Sequence, residues 1–199
     1  IITNAINLLD GIDGLATSIV IVSTISVWLR TLLVDSSSLS ASHIFSNLTV
    51  SYLSICFVAI SLAFLFSNKF PSKIHLGDSG SYLIGFYLAV LSIASGMKLA
   101  TIVMSALLPL IDIFWVIVKR IKNSQSIFKA DRLHLHLALE DNGYSHNKIV
   151  ALYLICSISL GVLASFSNTL FKFLLIIIFG TAYSIYILHW QKISQNNKK

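Results

Sequence analysis

The first group of residues able to do chemistry lies near the start of the chain, in the segment 4–16, which reads NAINLLDGIDGLA. Asp10 and Asp13 are three residues apart, and Asn4 and Asn7 repeat that spacing. Residues at this spacing share one face of a helical turn, and the glycines among them allow a ligand to approach the backbone. Because an aspartate also favours a helix N-terminus, a capped helix start is the alternative interpretation. Two aspartates with two asparagines exceed what one cap requires, so we predict a polar binding site.

A second group occupies the segment 70–81, FPSKIHLGDSGS, directly before an apolar stretch. The carboxylate of Asp78 is a hard oxygen ligand, and proteins bind Mg²⁺ through one or two carboxylates plus substrate phosphates. The start of the following helix favours anions. A helix cap is again the alternative, and we interpret His75 as a solvated loop residue.

A third group, ADRLHLHL at 130–137, lies in the longest polar loop of the chain. Long loops in compact proteins are usually functional. Arg132 together with His134 and His136 fits phosphate binding. A zinc pair is a weaker alternative because no third nitrogen or sulfur ligand lies nearby, and a merely basic loop also remains open.

Asp112 stands apart from these groups because it lies inside an apolar segment, after Pro109. An acidic residue within a membrane-spanning segment is costly and is a functional candidate. Lys119 and Arg120 are about two helical turns away. The sequence therefore leaves open a structural ion pair with either of them or a catalytic role.

The elements that must position these groups follow from composition. The chain of 199 residues is 56% hydrophobic and only 11% charged, with a mean hydropathy of +0.83. A soluble domain carries about 25% charged residues, so this chain cannot cover itself with polar surface. We predict an all-α, polytopic integral membrane protein in a single domain over residues 1–199, because lipid requires backbone groups to be satisfied within helices. The six predicted membrane-spanning helices are 15–34, 49–67, 82–97, 99–118, 149–167 and 172–190.

The basic residues indicate the orientation of these spans. If the segment 1–14 is cytoplasmic, the loops 68–81 and 119–148 and the tail 191–199 are cytoplasmic too. Positive residues concentrate in cytoplasmic loops, so the net charge of +6 indicates topology rather than binding to nucleic acid. The three polar groups are separated by two spans each and should share one face of the plasma membrane. This face holds eleven of the 14 basic residues: Lys69, Lys73, Lys119, Arg120, Lys122, Lys129, Arg132, Lys148, Lys192, Lys198 and Lys199.

The three groups, in this order and over nearly the whole chain, resemble the motifs of the polyprenyl-phosphate N-acetylhexosamine-1-phosphate transferases (glycosyltransferase family 4). The third motif is closer to that of the bacterial undecaprenyl-phosphate GlcNAc-1-phosphate transferase branch than to the triple-histidine form. The resemblance implies transfer of an N-acetylhexosamine 1-phosphate from a UDP-sugar to polyprenyl phosphate, with release of UMP. It implies Mg²⁺ as cofactor, with Mn²⁺ as an alternative, and it is compatible with a homodimer in the inner membrane.

The resemblance also implies roles for individual residues. The metal ligands would be Asp78 and Asn7. The remaining roles would be catalytic for Asp10, Asp13, His134 and His136, and substrate-binding for Asn4, Asn7, Arg132, Asp131 and Ser79.

Two departures from the family pattern matter. An upstream pair of aspartates is absent from this sequence, so we expect this stretch alone to be inactive. Leu137 stands where the family usually has a further histidine. A non-catalytic relative that binds polyprenyl phosphate is therefore one alternative. A transporter is another, but repeats and several polar spans, which transporters typically show, are not visible.

Overall fold

The computed structural model describes residues 2–33, 41–94, 99–122, 124 and 134–196, and this part of the chain is helical with no strand. The order of the helices is α1 (Ile2–Leu9), α2 (Leu15–Leu32), α3 (Ala41–Asn68), α4 (Gly77–Ala94), α5 (Leu99–Ser105), α6 (Leu107–Lys122), α7 (Leu135–Asp141), α8 (His146–Phe166) and α9 (Thr169–Asn196).

The central element is α2, which packs against α3, α4, α5 and α8. Its apolar residues are buried on several sides, as Leu15, Ile19 and Val27 show. Most of its polar residues are serines and threonines. Some of their hydroxyl groups are satisfied within the helix, as Thr24 donates to the Val20 carbonyl at 2.8 Å, and others across helices, as Thr17 donates to Asn68 at the end of α3. A helix surrounded on several sides must be apolar around most of its circumference, and this explains the high hydropathy of the segment.

Three helices are long and apolar enough to cross a membrane: Leu15–Leu32, Asn47–Asn68 and His146–Phe166. A shorter apolar stretch, Leu170–Ile185, lies in α9. Large apolar side chains remain exposed on the outer surfaces of these helices, for example Ile60 and Phe66 on α3 and Ile155 on α8. Together these features confirm the predicted all-α polytopic membrane protein, and α4 and α9 contain the predicted spans 82–97 and 172–190 as far as these are described.

The predicted span 99–118 is not one helix, because a turn at Ala106 separates α5 from α6. Pro109 has no backbone N–H to donate to the carbonyl group of Ser105, and its ring disfavours the preceding helical turn. Asp112 therefore lies in α6, a helix separate from α5.

Several predicted loops contain helical residues. The segment 1–14 includes α1, the segment 119–148 includes the end of α6 and all of α7, and the tail beyond 191 continues α9 to Asn196. These parts are helical, and the cytoplasmic position of the segments stays a prediction. Polar residues marked them as aqueous, but polarity does not exclude a short helix at a membrane boundary.

A close crossing of α1 and α4 depends on Gly85. A Cβ atom at this position would lie 2.8 Å from the Thr3 Cα atom and 3.4 Å from the Thr3 carbonyl oxygen. The absence of a side chain therefore lets the two backbones approach, as glycine does at close contacts. This crossing aligns the first polar group with the second.

Candidate active site

Asn7 joins the first polar group to the second. It lies on α1, and its amide Nδ2 donates to Asp78 Oδ1 at 3.0 Å and to Ser81 Oγ at 2.8 Å. Asp78 and Ser81 lie in the first turns of α4, and Ser81 Oγ donates in turn to the Gly77 carbonyl at 2.9 Å.

Asp10 follows the end of α1 and is half-buried beside the same two segments. Burial raises the pKa of this carboxyl group, the Gly77 backbone N–H and His75 oppose the rise, and the carboxylates of Asp78 and Asp13 add to it. Three carboxylates thus lie close enough to repel one another. Such a cluster favours a bound cation or a shared proton.

Asp13 is held by the loop between α3 and α4. Ser72 donates its backbone N–H to Asp13 Oδ2 at 3.0 Å and its hydroxyl to Oδ1 at 2.8 Å. The exposed His75 lies with its Nδ1 3.5 Å from Oδ1. Burial would raise the pKa of Asp13, but the two hydrogen bonds from Ser72, together with His75 and His146, lower it below the usual value. Asp13 does not cap α2, whose N-cap is Gly14 in the left-handed region at φ 74°.

His146, which sequence reasoning did not single out, connects this loop to α8. Its Nε2 lies 3.0 Å from the Asp13 carbonyl oxygen, and its ring stacks on Phe70 at 4.4 Å between centroids. A groove of about 330 Å³ opens beside these residues and has Lys69 at its polar end and Val150 and Leu154 among its apolar walls. No spacing rule could have identified His146, because its partners Asp13 and Phe70 lie far from it along the chain.

The third polar group reaches the first through His136. The rings of His134 and His136 stack, with centroids 5.5 Å apart. The Nε2 atom of His136 would lie 3.8 Å from a Cβ atom built on Gly11. His136 is only 2% exposed. Burial lowers its pKa to about 4, the Asp112 carboxylate opposes this change, and His134 adds to it. His136 is therefore a neutral imidazole at neutral pH.

Asp112 is buried and lies beside this third group. Its Oδ2 accepts from His134 Nδ1 at 3.1 Å, and its Oδ1 accepts from the Leu135 backbone N–H at 2.9 Å and from the Tyr183 hydroxyl at 2.7 Å. These bonds connect Asp112 with the histidine segment and with α9. The sequence had suggested Lys119 or Arg120 as its partners.

The remaining predicted residues fall into two sets. Asn4 on α1 and Ser79 on α4 are exposed near the Asn7–Asp78 contact. Asp131 and Arg132 lie outside the described residues.

Among the described residues, no three histidine, cysteine or acidic side chains are placed so that they could hold a metal ion together. The donors present are Asp78, which is hydrogen-bonded to the Asn7 amide, and Asp10, which is close enough for the charge of Asp78 to raise its pKa. Mg²⁺ binds through one or two carboxylates plus substrate phosphates and keeps several waters. The donor set therefore fits a magnesium ion that arrives with a phosphorylated substrate, and it does not fit a structural zinc site.

Comparison with known proteins supplies the context for this geometry. A family model described as glycosyl transferase family 4 matches residues 1–96. A probable undecaprenyl-phosphate N-acetylglucosaminyl 1-phosphate transferase of Bacillus subtilis is 35% identical over 189 residues, which cover 89% of this chain and 49% of the relative. A decaprenyl-phosphate N-acetylglucosaminephosphotransferase of Mycobacterium leprae is 30% identical over 76% of this chain and 42% of its own length.

A more distant branch is also similar. A phospho-N-acetylmuramoyl-pentapeptide-transferase of Flavobacterium johnsoniae is 29% identical over 82% of this chain and 42% of its own length. The chain thus spans about half the length of the curated relatives it matches.

Proposed function

Because this chain belongs to glycosyl transferase family 4, we propose that it carries the nucleotide-sugar part of a membrane phosphosugar transferase. The reaction transfers an N-acetylhexosamine 1-phosphate from a UDP-sugar to polyprenyl phosphate and releases UMP. The protein would be a multi-pass protein of the plasma membrane, with this site facing the cytoplasm, where nucleotide sugars are available.

The observation that carries the proposal is the convergence of three separate polar segments. Asn7 hydrogen-bonds Asp78, Ser72 hydrogen-bonds Asp13, and His136 lies against Gly11. Polar residues at this density are expensive to maintain beside membrane-spanning helices. A site for a charged, phosphorylated substrate at the membrane surface accounts for all three contacts together.

The chemistry requires two phosphate-bearing substrates to meet. Asp78, with Asn7 beside it, would hold Mg²⁺ against the diphosphate of the UDP-sugar. The metal ion would supply positive charge to the phosphoryl oxygens, on which charge develops during transfer. The side chains would do the rest of the work by positioning and by hydrogen bonding in a site of low dielectric.

The pKa shifts suggest how the side chains divide this work. Asp13 has a lowered pKa, so it stays ionised and accepts hydrogen bonds from donor groups of the substrate. Asp10 has a raised pKa, so it takes up a proton more readily than Asp13 does, in line with a catalytic role. His136, neutral because its pKa is about 4, would contact the substrate by hydrogen bonding rather than by charge.

The donor sugar is proposed from the relatives. The Bacillus subtilis and Mycobacterium leprae proteins are named for N-acetylglucosamine, and we propose UDP-N-acetylglucosamine as the first donor to test. Arg132 and Asp131 are proposed as further substrate-binding residues on the basis of their motif.

The test is UMP release by the natural full-length gene product in membrane vesicles supplied with UDP-N-acetylglucosamine, undecaprenyl phosphate and Mg²⁺. Asp78→Asn keeps the shape of the side chain but removes its charge, and we expect it to abolish most of the activity. Asp141→Asn, at the exposed end of α7, is the matched control and should retain activity. Turnover that is equally strong in Asp78→Asn would contradict the proposal.

A further inference from the structure

The buried carboxylate of Asp112 has no role in the mechanism above, although it makes more hydrogen bonds to described residues than any other acidic side chain of the site. It is 2% exposed and accepts three hydrogen bonds from two regions of the chain. A buried carboxylate is costly unless it is well hydrogen-bonded. The three donors offset this cost, and their identities indicate what the carboxylate does.

We propose that Asp112 is a positioning residue that fixes both the ring tautomer of His134 and the start of α7. The proposal rests on the proposed function, because it makes His134 a residue that acts on the substrate and Asp112 the residue that orients it. Tyr183 completes the arrangement by joining α9 to the same carboxylate.

The ring of His134 is constrained first. A carboxylate oxygen can only accept, so the nitrogen 3.1 Å from Asp112 Oδ2, which is Nδ1, carries the hydrogen. Nε2 is then the nitrogen that can accept a hydrogen bond or take up a second proton. The same logic, in which a carboxylate selects the tautomer of a histidine, governs other catalytic histidines.

The backbone is constrained by the other oxygen of the same carboxylate. His134 is the N-cap residue of α7, with extended φ and ψ of −67° and 142°, and its own side chain makes no capping hydrogen bond. The Leu135 N–H, one of the free donors at the start of the helix, is instead accepted by Asp112 Oδ1. An acceptor from α6 thus replaces the local cap that a serine or aspartate usually provides.

Because the two carboxylate oxygens of Asp112 have different hydrogen-bond donors, one substitution can change the bond to His134 and keep the other two. Within the part of the chain that the structure describes, Leu135 and Tyr183 donate to Oδ1, and the donor to Oδ2 is His134. In Asp112→Asn the amide oxygen can keep both bonds at the Oδ1 position, and the amide NH₂ then faces Nδ1. A donor facing Nδ1 requires Nδ1 to become an acceptor, so the hydrogen must move to Nε2. The fold is retained while the tautomer is reversed.

The first experiment does not depend on enzyme activity. Nitrogen NMR of the protein labelled with ¹⁵N-histidine distinguishes the two tautomers, and a difference spectrum against His134→Gln assigns the signal. We expect Nδ1 to be protonated in the wild-type protein and Nε2 in Asp112→Asn. A wild-type His134 protonated on Nε2 alone would overturn the proposal, even if the Asp112→Asn variant does not fold.

The second experiment measures whether Asp112 acts through His134. We expect Asp112→Asn to lower kcat for UMP release on the order of a hundredfold, the scale of one positioned acid–base group, with little change in KM. In the His134→Gln background the same substitution should cost less than about threefold, because residues that act as a unit are not additive. Equal losses in both backgrounds would overturn the proposal.

Tyr183→Phe is the matched control for packing at the carboxylate, since it removes one donor to Oδ1 and leaves the bond to His134. It should preserve the Nδ1 tautomer, and a tautomer change in this variant would contradict the division of labour between the two oxygens. If the wild-type protein shows the expected tautomer but no transferase activity, the proposed function fails while the positioning of His134 by Asp112 stands.

Discussion

Replacing Gly85 with alanine should separate α1 from α4 and break the contact between the first and second polar groups. The added Cβ atom would lie 2.8 Å from the Thr3 Cα atom. Backbone cannot rotate away as a side chain can, so α1 must move by about 0.6 Å to reach even a tight contact of 3.4 Å, in a close-packed interior that resists such changes. If the Asn7–Asp78 distance of 3.0 Å lengthens by the same amount, it reaches about 3.6 Å, which is no longer a hydrogen bond.

The expected cost to stability is about 1–3 kcal/mol, as for other overpacked sites, and activity should fall further than stability alone explains. Thermal unfolding in detergent and UMP release in vesicles measure the two effects. Gly180→Ala is the matched control, because a Cβ atom at Gly180 in α9 meets nothing within 4 Å. That variant should be neutral or more stable, since alanine is the better helix former. If both variants melt and turn over alike, the close crossing of α1 and α4 does not position the site.

Two further predictions concern stability. The pKa of His136 is about 4 in the folded chain, against an ordinary value of 6.5 for histidine. Between these values the unfolded chain binds a proton that the folded chain does not, so stability is fully present above pH 6.5 and declines as the pH falls towards 4, by up to about 3 kcal/mol. Melting temperatures between neutral and acidic pH should show a flatter decline in His136→Gln, and identical slopes would refute the assignment. Thr17 Oγ1 donates to Asn68 Oδ1 at 2.8 Å, and Asn68 Nδ2 donates to the Ile74 carbonyl at 3.1 Å. Thr17→Val leaves a buried acceptor unpaired and should cost about 1–3 kcal/mol, whereas Thr49→Val, on an exposed face of α3, should change the melting temperature little.

Composition and hydropathy were sufficient to predict the all-α membrane class, because a lipid environment leaves the backbone few alternatives. The segment 99–118, predicted as one span, forms two helices. Counting spans also indicated that the three polar groups would share a face, and the contacts of Asn7 with Asp78 and of His136 with Gly11 agree with this. These inferences succeeded because they depend on order along the chain rather than on atomic packing.

The contacts that hold the individual side chains could not be read from the sequence. Ser72 and His146 are ordinary loop and helix-start residues until folding brings them to Asp13. The hydrogen-bond partners of Asp112 at His134, Leu135 and Tyr183 lie 22, 23 and 71 positions away. These separations are beyond the reach of the helical spacing that indicated Lys119 and Arg120. The break at Ala106 could have been anticipated from Pro109, whose effect on a helix is local.

The most direct test of the proposed reaction follows the β-phosphorus of the donor. UDP-N-acetylglucosamine radiolabelled at that phosphorus is incubated with undecaprenyl phosphate, Mg²⁺ and vesicles containing the natural full-length gene product, and the lipid and aqueous phases are counted separately. Transfer of a sugar 1-phosphate carries the label into the lipid phase and leaves unlabelled UMP in the water. Labelled UDP in the aqueous phase, with none of the label in the lipid, would show transfer of the sugar alone and would contradict the proposed reaction.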